Sequence, residues 1–530
     1  MIPSHSLIAS ALCLTLCSAL NAQVSSSSSS TQPSSITGQV VNANTSQPIG
    51  RALVRLGSQA ILTGPVGHFE FQIDAGSSNT IQVVKPGYYD GVDLNQSGKL
   101  IDSSAASVPV TVYLYPEALL TGTIRSPDGD PLQAISIQAM RRIDDETGRR
   151  WMTVGHTSSN SDGEFRMALP PGDYLVETNY APDLPSLHQA ALPVIFPAPG
   201  AGGDPGSQST MHLESGSERS LDLRPPLHKS YGVHLRFEGT SRDGYPSLEA
   251  HMSNGLGFSP QMKPTNTPGE MIATLPSGSY LITASTANRE NRSYGQTRVT
   301  VTDQDVQGVV MQMTKGLSET VELAVDASSS TSDNVAPNIR QLGMYFMPND
   351  HSFATNDMMS QNVYPTVHGN DPPSFDLLPG SYRLRSATGA QWFVLSATVN
   401  GTDLLSQDLD VDSASTTSPI QVVISNRGAQ AQGAIRIADH PGRAWVYLLA
   451  ETPSATPVIA LQSGLDGSFT HANLPPGSYR AISFESHFLH DLSDPAALGK
   501  FATYQKSFSV AAGETANLAL DAVPASELKP

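Results

Sequence analysis

The residues able to do chemistry in this chain are few and scattered. His487 and His490, with Asp491 beside them, form the tightest imidazole pair. A zinc site needs a third committed protein ligand, which the neighbouring sequence does not supply, so the pair reads as loop histidines. Asp128 with Asp130, and Asp408 with Asp410 and Asp412, place carboxylates where calcium could be imagined. Calcium takes about six to eight oxygens in a curled loop. Asp408, Asp410 and Asp412 instead alternate with Leu409 and Val411, as on a half-exposed strand. There is no His-Glu-x-x-His, Gly-x-Ser-x-Gly or phosphate-loop pattern. Trp151, Trp392 and Trp445 are the aromatic residues best suited to stack on a sugar, although Trp445 lies in the strand-like run Ala444 to Leu449 and reads as core. The expectation is no catalytic residue, no metal site and no cofactor, with any ligand-binding residues left unidentified.

What positions these residues is a repeat. Leu169-Pro170-Pro171-Gly172-Asp173-Tyr174, Leu275-Pro276-Ser277-Gly278-Ser279-Tyr280, Leu378-Pro379-Gly380-Ser381-Tyr382 and Leu474-Pro475-Pro476-Gly477-Ser478-Tyr479 share one pattern, with successive tyrosines roughly 100 residues apart. That period suits one small sandwich per repeat rather than a helical solenoid. Asp162-Gly163-Glu164-Phe165 and Asp466-Gly467-Ser468-Phe469 precede two of the copies. The resulting order of turn, strand, turn and strand reads as hairpins, with Asp-Gly supplying positive φ and Pro-Gly the next reversal. The tyrosines, each just after a turn, are expected to bury their rings and to bond their hydroxyls to nearby backbone, as in a tyrosine corner. Gly172, Tyr174, Gly278, Tyr280, Gly380, Tyr382, Gly477 and Tyr479 are thus structural turn residues. Beyond the turn, Tyr174, Val176 and Thr178 should share one face, and Leu175, Glu177 and Asn179 the other.

The fold expected is all-β: a tandem array of about five small Greek-key β-sandwich modules of transthyretin-like or immunoglobulin-like type, following a signal peptide. Modules are placed at 36–116, 117–226, 227–316, 317–427 and 428–523. Most open on a short strand containing glycine, as in Ile36-Thr37-Gly38-Gln39-Val40, Leu120-Thr121-Gly122-Thr123-Ile124 and Ala431-Gln432-Gly433-Ala434-Ile435. The Gly/Pro stretch from Pro197 to Gly206 falls inside the second module and reads as a long surface loop.

Gly38-Gln39-Val40-Val41, Thr45 and Pro48 through Val54 resemble the start of a carboxypeptidase regulatory-like domain. Thr63, Gly67-His68-Phe69-Glu70-Phe71 and Val83 through Tyr88 continue that resemblance. The second module repeats it in Gly122-Thr123-Ile124, Asp128-Gly129, Pro131-Leu132, Ala134 to Ile137 and Asp162 to Phe165. The fifth keeps the Asp-Gly-Phe and Leu-Pro-Pro-Gly-Tyr elements, while the third and fourth retain mainly the latter. The resemblance implies a transthyretin-like sandwich within a broader carbohydrate-binding-like fold, and it implies no peptidase activity, because nothing resembles a zinc carboxypeptidase's catalytic domain. Fold resemblance alone assigns no function.

The formal net charge of -18 disfavours nucleic acid and anionic lipid as partners. The richest basic cluster, Arg141, Arg142, Arg149 and Arg150, encloses Asp144, Asp145 and Glu146 and reads as a mixed-charge loop. An apolar run from Leu7 to Leu20 ahead of Ala22 reads as a signal peptide over 1–22. A Ser-rich tether over 23–35 follows. Cys13 and Cys17 both lie within the signal, so the mature chain would have no disulfide and no thiol chemistry. No later apolar run is long enough to cross a membrane. The function expected is an exported, non-catalytic binding or scaffold protein, periplasmic, outer-membrane-associated or extracellular, with glycan binding implied by the resemblance. The alternative is a structural or adhesive stalk, or a component of the cell envelope that binds other proteins.

Overall fold

In the computed structural model the described residues are 34–524 and Glu527, apart from 74–77, 91–98, 103–108, 146–147, 186, 199–208, 240–245, 287–292, 330–338, 349–361, 368–370, 388–391, 413–417, 465, 486–491 and 493–497. The signal peptide, most of the tether, His487, His490 and Asp491 lie outside them, as does most of the stretch from Pro197 to Gly206. The chain is all-β, a tandem series of small sandwiches.

One topology recurs five times. An opening strand pairs antiparallel with a middle strand and parallel with a closing strand. In the first unit Ser34–Asn42 lies between His68–Ile73 and Val110–Pro116. In the second, Ala118–Ile124 lies between Glu164–Leu169 and Glu218–Leu223. Ser230–Glu238 lies between Glu270–Pro276 and Val306–Gln312 in the third, and Leu317–Val325 between Ser374–Leu377 and Ile420–Ser425 in the fourth. The fifth sets Ala429–Ile437 between Ser468–Leu474 and Thr515–Val523. Parallel neighbours cannot be joined by a tight turn, so the chain between them builds the second sheet. That sheet is centred on antiparallel pairs: Leu53–Leu56 with Ser78–Val84, Ser136–Asp145 with Gly172–Thr178, Ser247–His251 with Gly278–Ser285, Met344–Pro348 with Gly380–Ser386, and Trp445–Ala450 with Gly477–Phe484. Inward-facing residues of both sheets fill a separate core in each unit, as a two-layer sandwich requires.

Three expectations need correction. The turns before and after Glu164–Leu169 are not hairpins. Gly148–Ser158 and Gly172–Thr178 both belong to the sheet containing Ser136–Asp145, whereas Glu164–Leu169 belongs to the sheet of the opening strand, so both turns carry the chain between sheets. Pro170 and Pro171 suit such a corner because neither has an N–H to give to a ladder. The Arg-rich segment is likewise not a loop. Ser136–Asp145 and Gly148–Ser158 form a long β-hairpin in which Asp144 stands opposite Arg149 and Arg142 opposite Trp151. Finally, Ser34 and Ser35, part of the Ser-rich tether by composition, already pair with Ile73 and Gln72.

Candidate functional site

The turn tyrosines are buried, and three of them close the corner in one way. Tyr174 donates its hydroxyl hydrogen to the Pro170 carbonyl, Tyr382 to Leu378 at 2.8 Å and Tyr479 to Pro475 at 2.6 Å. The hydroxyl thus ties the start of a strand in one sheet to the end of a strand in the other. Burial pushes the Tyr174 hydroxyl pKa up to about 12, with Arg141 opposing the rise, and it raises that of Tyr479 further. Gly172, Gly278 and Gly380 take φ of +145°, +157° and +159°, while Gly477 lies outside the positive-φ set. Only Gly172 is far from ordinary extended backbone, and a Cβ there would meet the Arg141 guanidinium at 2.6 Å.

Tyr280 departs from this pattern. Its strand partner in the other sheet continues through Pro276, which pairs with Ser230, and among the described residues the buried Tyr280 hydroxyl has no hydrogen-bond partner. The Tyr180 hydroxyl is buried close by, beside that of Ser230. Tyr180 stacks on Phe258 at 4.2 Å between centroids, and Phe258 meets Tyr280 edge-on at 5.7 Å.

A second repeated constellation joins residues that the sequence showed only as separate recurrences. In the first, second and fifth units, the glycine of the opening strand stands directly opposite a phenylalanine: Gly38 opposite Phe69, Gly122 opposite Phe165 and Gly433 opposite Phe469. The ring lies over the glycine, and on the other side the closing strand approaches closely. A Cβ would collide with the Val110, Leu221 or Leu518 carbonyl oxygen. Four residues before the phenylalanine's turn glycine stands a buried hydroxyl. Thr63 accepts from Ala52 N–H and donates to Ile49 O, Ser159 accepts from Ile135 N–H and donates to Leu132 O, and Ser463 accepts from Ala444 N–H. The turn glycines Gly67, Gly163 and Gly467 all have φ near the left-handed value, +74°, +73° and +77°. The signal available was the joint spacing Thr/Ser-x-x-x-Gly-x-Phe.

The remaining candidates are dispersed. Asp128 and Asp130 sit exposed in a turn where Asp130 N–H bonds to Ser126 Oγ, and Asp408 pairs with Arg383. No group of three metal-ligating side chains occurs among the described residues. Trp392 packs against the core of the fourth unit. Trp445 lies over Tyr447 at 6.4 Å within a second cluster of the fifth unit, and Trp151 packs beside Leu175 and Leu256. None of the three is among the exposed large apolar side chains. Tyr364 is, at 54% exposure, and it leans on Tyr345 at 5.5 Å. No helix among the described residues is long and apolar enough to cross a membrane.

Neighbouring units share residues. Leu192, in the second unit's sequence, is buried in the core of the third, and Leu256 of the third is buried against Met140, Leu175 and Ile195 of the second. Ala455 of the fifth is buried in the core of the fourth, where its carbonyl accepts from Ser386 N–H at 3.0 Å and Thr456 Oγ1 donates to Ser386 O at 3.1 Å. Ser215 of the second donates to the Pro116 carbonyl at the end of the first, at 2.9 Å.

No protein-family model matches the chain, and no curated protein matches it. Among solved structures it is similar to the Bacillus anthracis TIE protein, at 9% identity and a TM-score of 0.16 over 92% of this chain and 68% of that one. It is also similar to a streptococcal ancillary pilin, at 13% identity and a TM-score of 0.16 over 56% of this chain and 99% of that one. The minor pilin of Streptococcus agalactiae gives 15% identity and a TM-score of 0.20 over 37% of this chain and 96% of that one.

Proposed function

We propose that this chain is an exported, non-catalytic scaffold of the cell envelope, its sandwiches divided near 36–116, 117–226, 227–316, 317–427 and 428–523, holding surfaces at fixed separations for another envelope protein. The exchange of buried residues between neighbours carries this reading. Leu192 and Ala455 each complete the core of the adjacent unit, so the second unit is fixed to the third and the fourth to the fifth, rather than strung on free linkers. A chain whose task is spacing gains from joints that resist bending. The turn residues Gly172, Tyr174, Gly278, Tyr280, Gly380, Tyr382, Gly477 and Tyr479 belong to this structural role.

Glycan binding, implied by the resemblance to carboxypeptidase regulatory-like domains, is the second reading, and the exposed Tyr364 ring is the feature that favours it. Retention of the purified full-length chain on cell-wall polysaccharide fractions, beside capture of cross-linked envelope proteins from the producing cell, separates the two. The scaffold reading expects a specific protein captured and no retention on polysaccharide. Retention lost in Tyr364→Ala would establish the glycan reading instead. Turnover of any fraction by pure protein would overturn both.

A further inference from the structure

The strand Gly172–Thr178 is buried on both faces. Tyr174 and Val176 enter the core of the second unit, and alternation sends Leu175 and Glu177 to the opposite face. That face is roofed by the third unit, whose turn places Leu256 and Met252 on Met140, Leu175, Ile195 and Trp151. Glu177 stands in this covered face, 2% exposed, between Gln138 and Ile195 on the flanking strands. Gln138 Nε2 donates to Glu177 Oε2 at 2.9 Å, and Gln138 Oε1 accepts from Thr153 Oγ1 at 3.2 Å, which fixes the amide with its N–H toward the acid. Among the described residues Glu177 forms no ion pair. A carboxylate sealed there with one neutral donor is poorly solvated, whereas the neutral acid is accommodated.

We propose that the joint between the second and third units is set by protonation of Glu177: closed when the acid is neutral, loosened when the carboxylate forms and requires water. Burial pushes the Glu177 carboxyl up to about 7, with the Gln138 hydrogen bond opposing the rise. Because the value in the closed joint is raised, the joint's stability is complete below the ordinary carboxylate range. It falls as pH rises from there through about 7. Other titratable groups flank the site without supplying a counter-charge. On its own strand Asp173 pairs with His212, and just past the strand's end Tyr180 stacks on Phe258. On the facing strands His156 stands opposite Gln138, and Arg142 opposite Trp151. From the third unit, Glu249 and His251 precede the covering turn, with His251 on Thr283. The joint would respond to pH in this way whichever partner the scaffold presents.

Hydrogen exchange of the full-length chain, with labelling times rescaled for the intrinsic pH dependence, tests it between pH 5.5 and 8.5. Protection in 136–140, 172–178 and 248–258 should fall about tenfold or more across that range. Glu177→Gln should abolish the fall, and Glu164→Gln, at an exposed position, should leave it in place. Constant protection in the wild type, or the same fall in Glu177→Gln, would overturn the proposal. If Glu177→Gln does not fold, Leu256→Ala serves, because uncovering the face should move the midpoint about one unit toward the ordinary carboxylate value. A midpoint unmoved by Leu256→Ala would also overturn it.

Discussion

At the scale of single residues, two tyrosines of the same repeat should respond in opposite ways to loss of a hydroxyl. Tyr479 donates to Pro475 O, so Tyr479→Phe strands a buried carbonyl and should cost about 1 kcal/mol. Tyr479→Ala also leaves a cavity and should cost about 2–4 kcal/mol. The Tyr280 hydroxyl is buried with no hydrogen-bond partner among the described residues, so Tyr280→Phe should be neutral or stabilising by up to about 1 kcal/mol. Local stabilities from hydrogen exchange on the whole chain compare all three, and a Tyr280→Phe loss as large as that of Tyr479→Phe would mean that a partner satisfies Tyr280. The buried ring after each Pro-Gly turn was legible from sequence, because an aromatic beside a turn is normally drawn inward. The hydroxyl's partner was not. It depends on whether the preceding strand stops before its proline, as at Pro475, or runs through it, as at Pro276.

At the scale of elements, the opening-strand glycines were visible as a recurrent letter but their reason was not. Gly433 is squeezed between the Phe469 ring and the Leu518 carbonyl, contacts that join strands far apart in sequence. Gly433→Ala should therefore push the closing strand away and destabilise the fifth unit by about 1–3 kcal/mol. Gly64→Ala, with open space around its Cβ, should change stability by less than about 0.5 kcal/mol. Thermal unfolding of the two variants would check the contrast, and equal effects would show that the close approach relaxes freely. The same non-locality explains why corners were read as hairpins. Turn chemistry is written in four or five residues, but which sheet the next strand joins is decided by its partners. Glu164–Leu169 chose the opening strand Ala118–Ile124 over the sequence neighbour that ends at Ser158.

At the scale of the whole molecule, the recurrence was legible because four copies carry a Leu-Pro turn followed by glycine and tyrosine, and the first opens, like others, on a short strand containing glycine. What joins the copies was not, since the joining residues look like ordinary core. Leu175 and Glu177 illustrate this: period-two alternation assigned them the opposite face from Tyr174, and only the third unit's turn makes that face interior. Leu192 gives the sharper case. It follows Gln189–Ala191, a strand that pairs with Ala181–Leu184 of the second unit and with Leu227–His228, yet its side chain lies among Val233, Phe258 and Tyr280. If the units were independent, Leu192→Ala would weaken the second alone. Because the side chain completes the neighbouring core, the loss of transfer energy and the residual cavity fall on the third, at about 2–4 kcal/mol. Hydrogen exchange resolved by segment should show 233–237, 271–275 and 280–284 losing protection, while 120–124 and 165–169 keep theirs. Loss confined to the second unit would remove the physical basis for joints that resist bending, since the scaffold reading needs neighbours whose cores depend on one another.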